Sequence, residues 1–174
     1  MSATHRTRLR PMASADLEQV LEWRNHESVR KYMYTQHQIG LQEHTQWFER
    51  ASQSPERHLL IYEKEEVALG FINVHVIAGG GIADWGFYAA PDAPKGTGRD
   101  LGAATLRYAF EQLGLHKLCG QALGFNHRSI KFHQSLGFHQ EGVLREQHFD
   151  GQAYHDVVCF GLFAREWQAE SERD

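Results

Sequence analysis

"YAAPDAPKGTGRDLG", Tyr88 to Gly102, joins an aromatic, strand-like run to a long helical pattern through a turn rich in proline and glycine. Glycines at a helix entrance let backbone N–H groups come close to a ligand, and the partial positive charge of a helix N-terminus favours an anion. Lys95 and Arg99 add mobile positive charge beside those amides, a combination suited to pyrophosphate. Neither widespread phosphate loop is present. GxxxxGK[ST] is absent, and GxGxxG would need its last glycine at Leu101, whereas the chain has Gly102. Read alone, the turn does no more than reverse the chain, so its surroundings must decide.

Upstream, "HLLIYEKEEVALGFINVHVI" reads as two strands joined across "EKEE", and "GIADWGFYAAP" as a third, giving an antiparallel meander that ends at the turn. Before it, "RLRPM" alternates as a short strand. Ser14 is placed to cap a helix carrying Leu17, Val20 and Leu21 that breaks near Asn25 and His26, and "GLQEHTQWFERAS" forms a second helix stopped at Ser54 and Pro55. Downstream, Leu101, Thr105, Leu106, Ala109, Phe110 and Leu113 mark one apolar helix face closed by Gly114. "KLCGQAL" is a strand, and "NHRSIKFHQSLGF" a helix running from Asn126 to Gly137. "GVLREQHF" and "AYHDVVCFGLF" flank Asp150-Gly151 as a hairpin, and "AESERD" is a solvated tail. The order β-α-α-β-β-β-α-β-α-β-β over 174 residues predicts a single α/β (α+β) domain, 1–174.

Composition narrows the function classes. A chain with 41% hydrophobic and 23% charged residues and no long apolar run is expected to fold as a globule with no membrane partner. "MSATHRTRLRPM" lacks the apolar segment of a secretory leader, and Cys119 and Cys159 lie in apolar strand contexts, so a cytoplasmic protein is expected. A net charge of −4 gives no general reason to bind nucleic acid. Among twelve histidines, His127, His133 and His139 are spaced by six, and neither HExxH nor CxxC occurs, so no metal is expected.

With its strand upstream and helix downstream, the turn resembles motif A of the GNAT superfamily of N-acetyltransferases, [Gln/Arg]-x-x-Gly-x-[Gly/Ala], at Ala93, Gly96 and Gly98. Ala93 departs from the usual Gln or Arg, while the element order matches the family fold over residues 6 to 163. The resemblance implies a mixed, mostly antiparallel sheet of about seven strands flanked by about four helices, with acetyl-CoA as co-substrate and no metal. It places the backbone of Phe87, Tyr88 and Ala89 along the pantetheine arm, with an N–H there polarising the thioester carbonyl. Lys95, Gly96, Thr97, Gly98 and Arg99 then surround the pyrophosphate, and Asn126 faces the cofactor. "NHRSIKFHQSLGF" is similar to the family segment Asn-x-x-Ala-x-x-Leu-Tyr-x-x-x-Gly-Phe, with His133 where the family has the tyrosine that protonates the departing thiolate. An imidazole, with a reference pKa of ~6.5, suits that task, although a helix histidine with no chemical role is an equal reading. Asp84, ahead of "WGFY", is the expected base, with Glu141 and His75 as alternatives and a plain turn-side aspartate as the competing reading.

The N-terminal half should choose the amine. "WRNHxxVRxxMxT", "LxEHxxWF", "WGFYxxP" and "GVLRE…DG…HDVVxFGL" together resemble the acetyltransferases of pseudaminic acid biosynthesis. These act on the 4-amino group of a UDP-linked 4-amino-4,6-dideoxy-N-acetyl-altrosamine, a precursor for flagellin glycosylation. Features shared with ribosomal-protein Nα-acetyltransferases keep that acceptor open, as does a non-catalytic acyl-CoA-binding module. For a nucleotide sugar, Arg24 and Arg30 would meet the diphosphate, and Asn25, Met33, Tyr34, His44 and Trp47 would line the acceptor. Trp23 reads as core, and the same packing role is open to Met33 and Trp47. An exposed sheet edge near the C-terminal hairpin would permit a homodimer.

Overall fold

The structure, a computed structural model, describes residues 6–171. Its centre is a seven-stranded sheet of order β1-β2-β3-β4-β5-β7-β6. β1 (Thr7–Pro11), β2 (Arg57–Lys64), β3 (Val67–Ala78) and β4 (Ile82–Ala89) pair antiparallel in sequence order, which is the meander expected from alternation. The β2–β3 turn places two glutamates, Glu65 and Glu66, at φ 50° and 66°, in the left-handed region. β5 (Lys117–Leu123) runs parallel to β4, and β6 (His139–Phe149) and β7 (Tyr154–Phe163) complete the sheet.

Strand alternation sorts the core into two layers. Ile72, Val74, Ala83, Trp85, Leu118 and Phe160 face one side. There they pack beneath α4 (Thr97–Arg107), through Leu101 and Leu106, and beside α5 (His127–Ser135). Leu59, Ile61 and Phe71 face the other side. They meet Val20 and Trp23 of α1 (Leu17–Asn25) and Ala51 of α3 (Leu41–Gln53), with the single turn α2 (Glu27–Arg30) between those helices. Trp23 is a core residue, as read.

Two local expectations are corrected. Ser14 caps no α-helix: Ser14–Asp16 form a short 3-10 turn, and the Asp16 carboxylate takes the Ala13 amide at 2.8 Å while Arg10 grips both of its oxygens at 2.7 Å. Arg10 Nε also meets buried Glu63 at 2.6 Å, so the turn is fastened to the sheet edge by charge. The hairpin at Asp150-Gly151 forms as read: residues 150–153 connect β6 to β7, and Asp150 Oδ1 accepts the Gln152 and Ala153 amides, each at 2.8 Å. The tail expected from Ala169 begins inside a C-terminal helix, α6 (Ala164–Ser171), whose Trp167 packs on Phe110 at 5.5 Å; residues 172–174 lie outside the described residues. With α6 and the single-turn α2, the described residues hold more than the four helices expected.

One irregularity of the sheet positions everything that follows. β4 is paired to β3 along its whole length, yet to β5 through only three residue pairs, Ile82↔Lys117, Ala83↔Leu118 and Asp84↔Cys119. From Trp85 on β4 and Gly120 on β5 the strands part, while β5 stays paired to β7 through Leu123. A gap therefore opens in the middle of the sheet, edged by two strands whose inward backbone groups have no strand partner.

Candidate active site

The mouth of the gap lies where β4 runs into the turn of the opening sequence. Gly96 is the N-cap residue of α4 at φ 93°, a conformation that costs a residue with a Cβ and not glycine. The Thr97 amide bonds to the Pro94 carbonyl and the Asp100 amide to the Gly96 carbonyl, at 3.1 Å each. The first-turn amides of Gly98 and Arg99 have no partner among the described residues. Lys95 and Arg99 are exposed beside them, whereas the Thr97 hydroxyl is spent on the Pro94 carbonyl at 2.7 Å. The turn thus offers free amides and two cations, with the Thr97 hydroxyl helping to hold its shape.

Phe87, Tyr88 and Ala89 lie on the unpaired stretch of β4 and are half-buried. An extended chain carrying amides, such as pantetheine, can supply the missing hydrogen bonds of such an edge in the manner of an added strand. At the far side of the gap, Asn126 caps α5 by accepting the Ser129 amide at 3.2 Å, which leaves its Nδ2 for a ligand. These groups fit the long, amide-bearing, anionic shape of coenzyme A.

At the apex the two faces differ. On the α1/α3 face, Arg57, His75, Asp84 and Cys119 form a cross-strand row, and Asp84 Oδ1 lies 4.0 Å from His75 Nδ1. Burial raises the pKa of Asp84 above the ordinary carboxylate value, with His75 and Arg57 opposing. A carboxylate so poised is a better base. Glu141, the alternative, is committed to Lys117 Nζ at 2.7 Å.

On the opposite face stands His133, only 1% exposed. Its Nδ1 donates to the Ser129 carbonyl at 2.8 Å, and its Nε2 accepts the Trp85 Nε1–H at 3.2 Å. Burial lowers its pKa, and its ring lies flat on Phe160 at 4.9 Å. The role of acid to a departing thiolate does not fit this geometry: the one ring proton is held by a carbonyl, and the other nitrogen is an acceptor already in use. His133 is the correction to the family analogy. Sequence reading also missed its partners Trp85 and Gly120, since nothing in a single strand reveals which position faces a distant helix.

The acceptor residues divide into two groups. Asn25 is spent holding the loop after α2, its amide bonded both ways to the Ile39 backbone at 2.8 Å, so it positions and does not touch a ligand. Arg30 Nη1 helps at the Gln36 carbonyl, and Tyr34 pins the loop across to β5, its hydroxyl donating to Gln121 Oε1 at 2.8 Å. Trp47 packs between His44 and Phe71 and is not free to cover a base, while Met33 is half-buried on the loop. Arg24 is different. It is 9% exposed, spends Nη2 on the Thr35 carbonyl at 2.7 Å, and has no partner for Nη1. His44, 4% exposed, likewise lacks a partner for Nε2, and burial together with the Arg24 charge lowers its pKa. Tyr88, whose phenol burial pushes to a higher pKa, lies within the field of Arg24. Asn73 Oδ1, opposite Gly86, is a further buried acceptor without a partner that the sequence reading missed.

Among the described residues no three His, Cys, Asp or Glu side chains come together as metal ligands, and no helix is long and apolar enough to cross a membrane. A split sheet with a basic, amide-lined turn at its mouth defines a class: the chain belongs to the acetyltransferase (GNAT) domain family, whose model matches residues 6–139. It is an acetyl-CoA-dependent N-acetyltransferase. Among individual relatives it is similar to Acetyltransferase PseH of Campylobacter jejuni, 29% identical over 128 residues that cover 72% of this chain and 78% of the relative. The prophage-derived N-acetyltransferase YokL of Bacillus subtilis is 36% identical over 87 residues, 48% of this chain and 49% of that one. Among solved structures, the spermidine N-acetyltransferase of Vibrio cholerae with CoA and spermine shares the fold at a TM-score of 0.86, with 21% identity over 93% of this chain and 98% of the other.

Proposed function

We propose that this single-domain enzyme acetylates the amino group of a nucleotide-linked amino sugar, the UDP-linked 4-amino-4,6-dideoxy-N-acetyl-altrosamine of pseudaminic acid biosynthesis. The observation that carries the reading is the buried Arg24 with a free Nη1, next to His44 with a free Nε2. A buried guanidinium with an unused donor is costly, and a diphosphate oxygen is the acceptor that satisfies it best. A polyamine would bring more positive charge to the same place, and a basic peptide end would do likewise. The similarity to Acetyltransferase PseH supports the same acceptor.

Acetyl-CoA supplies the thioester when bound. In the proposed mechanism Gly96, Gly98 and Arg99 receive its phosphates with Lys95, and the free β4 edge at Phe87 to Ala89 orients the arm and polarises the carbonyl. Asp84 takes the proton from the amine as its nitrogen bonds to the carbonyl carbon and the carbon–sulfur bond breaks. With His133 unavailable, the thiolate takes its proton from solvent, which suits a leaving group of pKa ~8.5. A second copy of the chain would meet the exposed edge strand β6.

The deciding experiment offers acetyl-CoA with three amines in parallel: the UDP-4-amino sugar, a ribosomal-protein N-terminal peptide, and spermidine. Mass spectrometry should find the sugar nucleotide acetylated fastest. Acetylated peptide or polyamine beside untouched sugar would overturn the assignment, and thioester binding without transfer to any amine would favour the binding module.

A further inference from the structure

The apex of the gap is closed on one side only. Trp85 and Gly120 are the first residues of β4 and β5 beyond the last strand pair, and the His133 ring from α5 sits against both. A Cβ at position 120 would collide with His133 Nε2, so the ring occupies the space that any other residue would take. Both imidazole nitrogens are bonded and the ring is stacked on Phe160, so the closure is stiff. Around it Phe87, Phe132 and Phe138 complete an aromatic wall. The other side of the apex, at Asp84, is polar and half-exposed.

The amine and its base need the polar side, so a thioester held in the gap turns its apolar acyl chain toward the wall. We propose that the Trp85–His133 pair, admitted by Gly120, is a stop that limits the transferred acyl group to acetyl. This rests on the placement of the thioester in the β4–β5 gap. It gives the buried histidine a task in specificity through shape, and Trp85 and His133 act as a pair because each fixes the other. An extra methylene pressed against a stiff wall should cost ~10-fold or more in affinity.

The test is calorimetric binding of CoA, acetyl-CoA, propionyl-CoA and butyryl-CoA to the wild type, His133→Ala and Trp85→Phe. Wild type should lose ~10-fold or more at each added methylene. Free CoA should bind all three proteins equally, while His133→Ala should recover most of the butyryl-CoA loss. Trp85→Phe keeps an aromatic ring but removes the indole N–H and part of the bulk, so it should fold where the alanine variant does not and show an intermediate series. The same steep series in the variants as in wild type would overturn the stop. A wild type that binds no CoA at all would overturn the placement of the cofactor, and the stop with it.

Discussion

On the α5 side of the gap a buried histidine has both nitrogens satisfied and four aromatic rings within 6 Å, Trp85, Phe87, Phe138 and Phe160. On the α1/α3 side Arg24 and His44 are nearly as buried, yet each keeps a nitrogen with no partner. Burial alone therefore does not distinguish the two sides; satisfaction does. A group with all its bonds made holds its place and shape, whereas a buried polar atom left open carries a cost that a ligand can remove.

The contrast is broken or sharpened most by Asp84→Asn, on the open side. We expect kcat to fall ~10²- to 10⁴-fold. Because its folded pKa is raised, ionised Asp84 favours the unfolded state as pH rises through the folded pKa, so the amide should also leave the melting temperature unchanged or higher at neutral pH. A falling melting temperature with preserved kcat would make Asp84 structural. Next comes Arg24→Lys, which keeps charge and loses the fork. The KM for the sugar nucleotide should rise ~10- to 100-fold, as for a hydrogen bond to a charged group, with acetyl-CoA binding spared. Equal kinetics would remove Arg24 from the acceptor site.

Gly98→Val tests the turn. A Cβ there meets nothing nearer than Phe132 at 4.0 Å, so folding should survive while coenzyme affinity falls ~10-fold as the backbone loses its close approach. Unchanged affinity would move the phosphate site elsewhere. The smallest effect belongs to the closed side. Burial lowers the His133 pKa, so its stabilising contribution is complete above the reference value of ~6.5 and is lost as pH falls toward the folded value. Wild type should therefore lose melting temperature on acidification from that point more steeply than His133→Gln. Parallel curves would mean that the ring does not stay neutral.

The meander, the existence of strand β5 and the helix entrance at Gly96 were legible because period-two alternation and glycine placement are local signals, whereas the parallel pairing of β5 with β4 was not. Lys95, Gly98 and Arg99 are proposed as phosphate contacts from the same logic. What could not be read was cross-strand: Gly120 looks like an unremarkable strand glycine until His133 is seen in the space beside it. From sequence His133 reads equally as thiolate acid and as a helix histidine with no chemical role, because the family position is known and its neighbours are not. Ser14 lost its expected N-cap position to Asp16, whose carboxylate is held by Arg10, itself anchored to the distant Glu63. The C-terminal helix was missed because its eight residues carry a short, largely polar pattern, anchored by tertiary contacts such as Trp167 against Phe110.

The three residue pairs between β4 and β5 have a mechanical meaning. Four strands on one side and three on the other form two leaves, and the spine joining them is one short parallel ladder with Trp85 and His133 wedged at its end. Stiffness across that spine depends on what lies between the leaves. Anything that bonds to both inner edges works as a splint, so slower amide exchange should spread from Phe87 on one leaf to Ala122 on the other when the gap is filled.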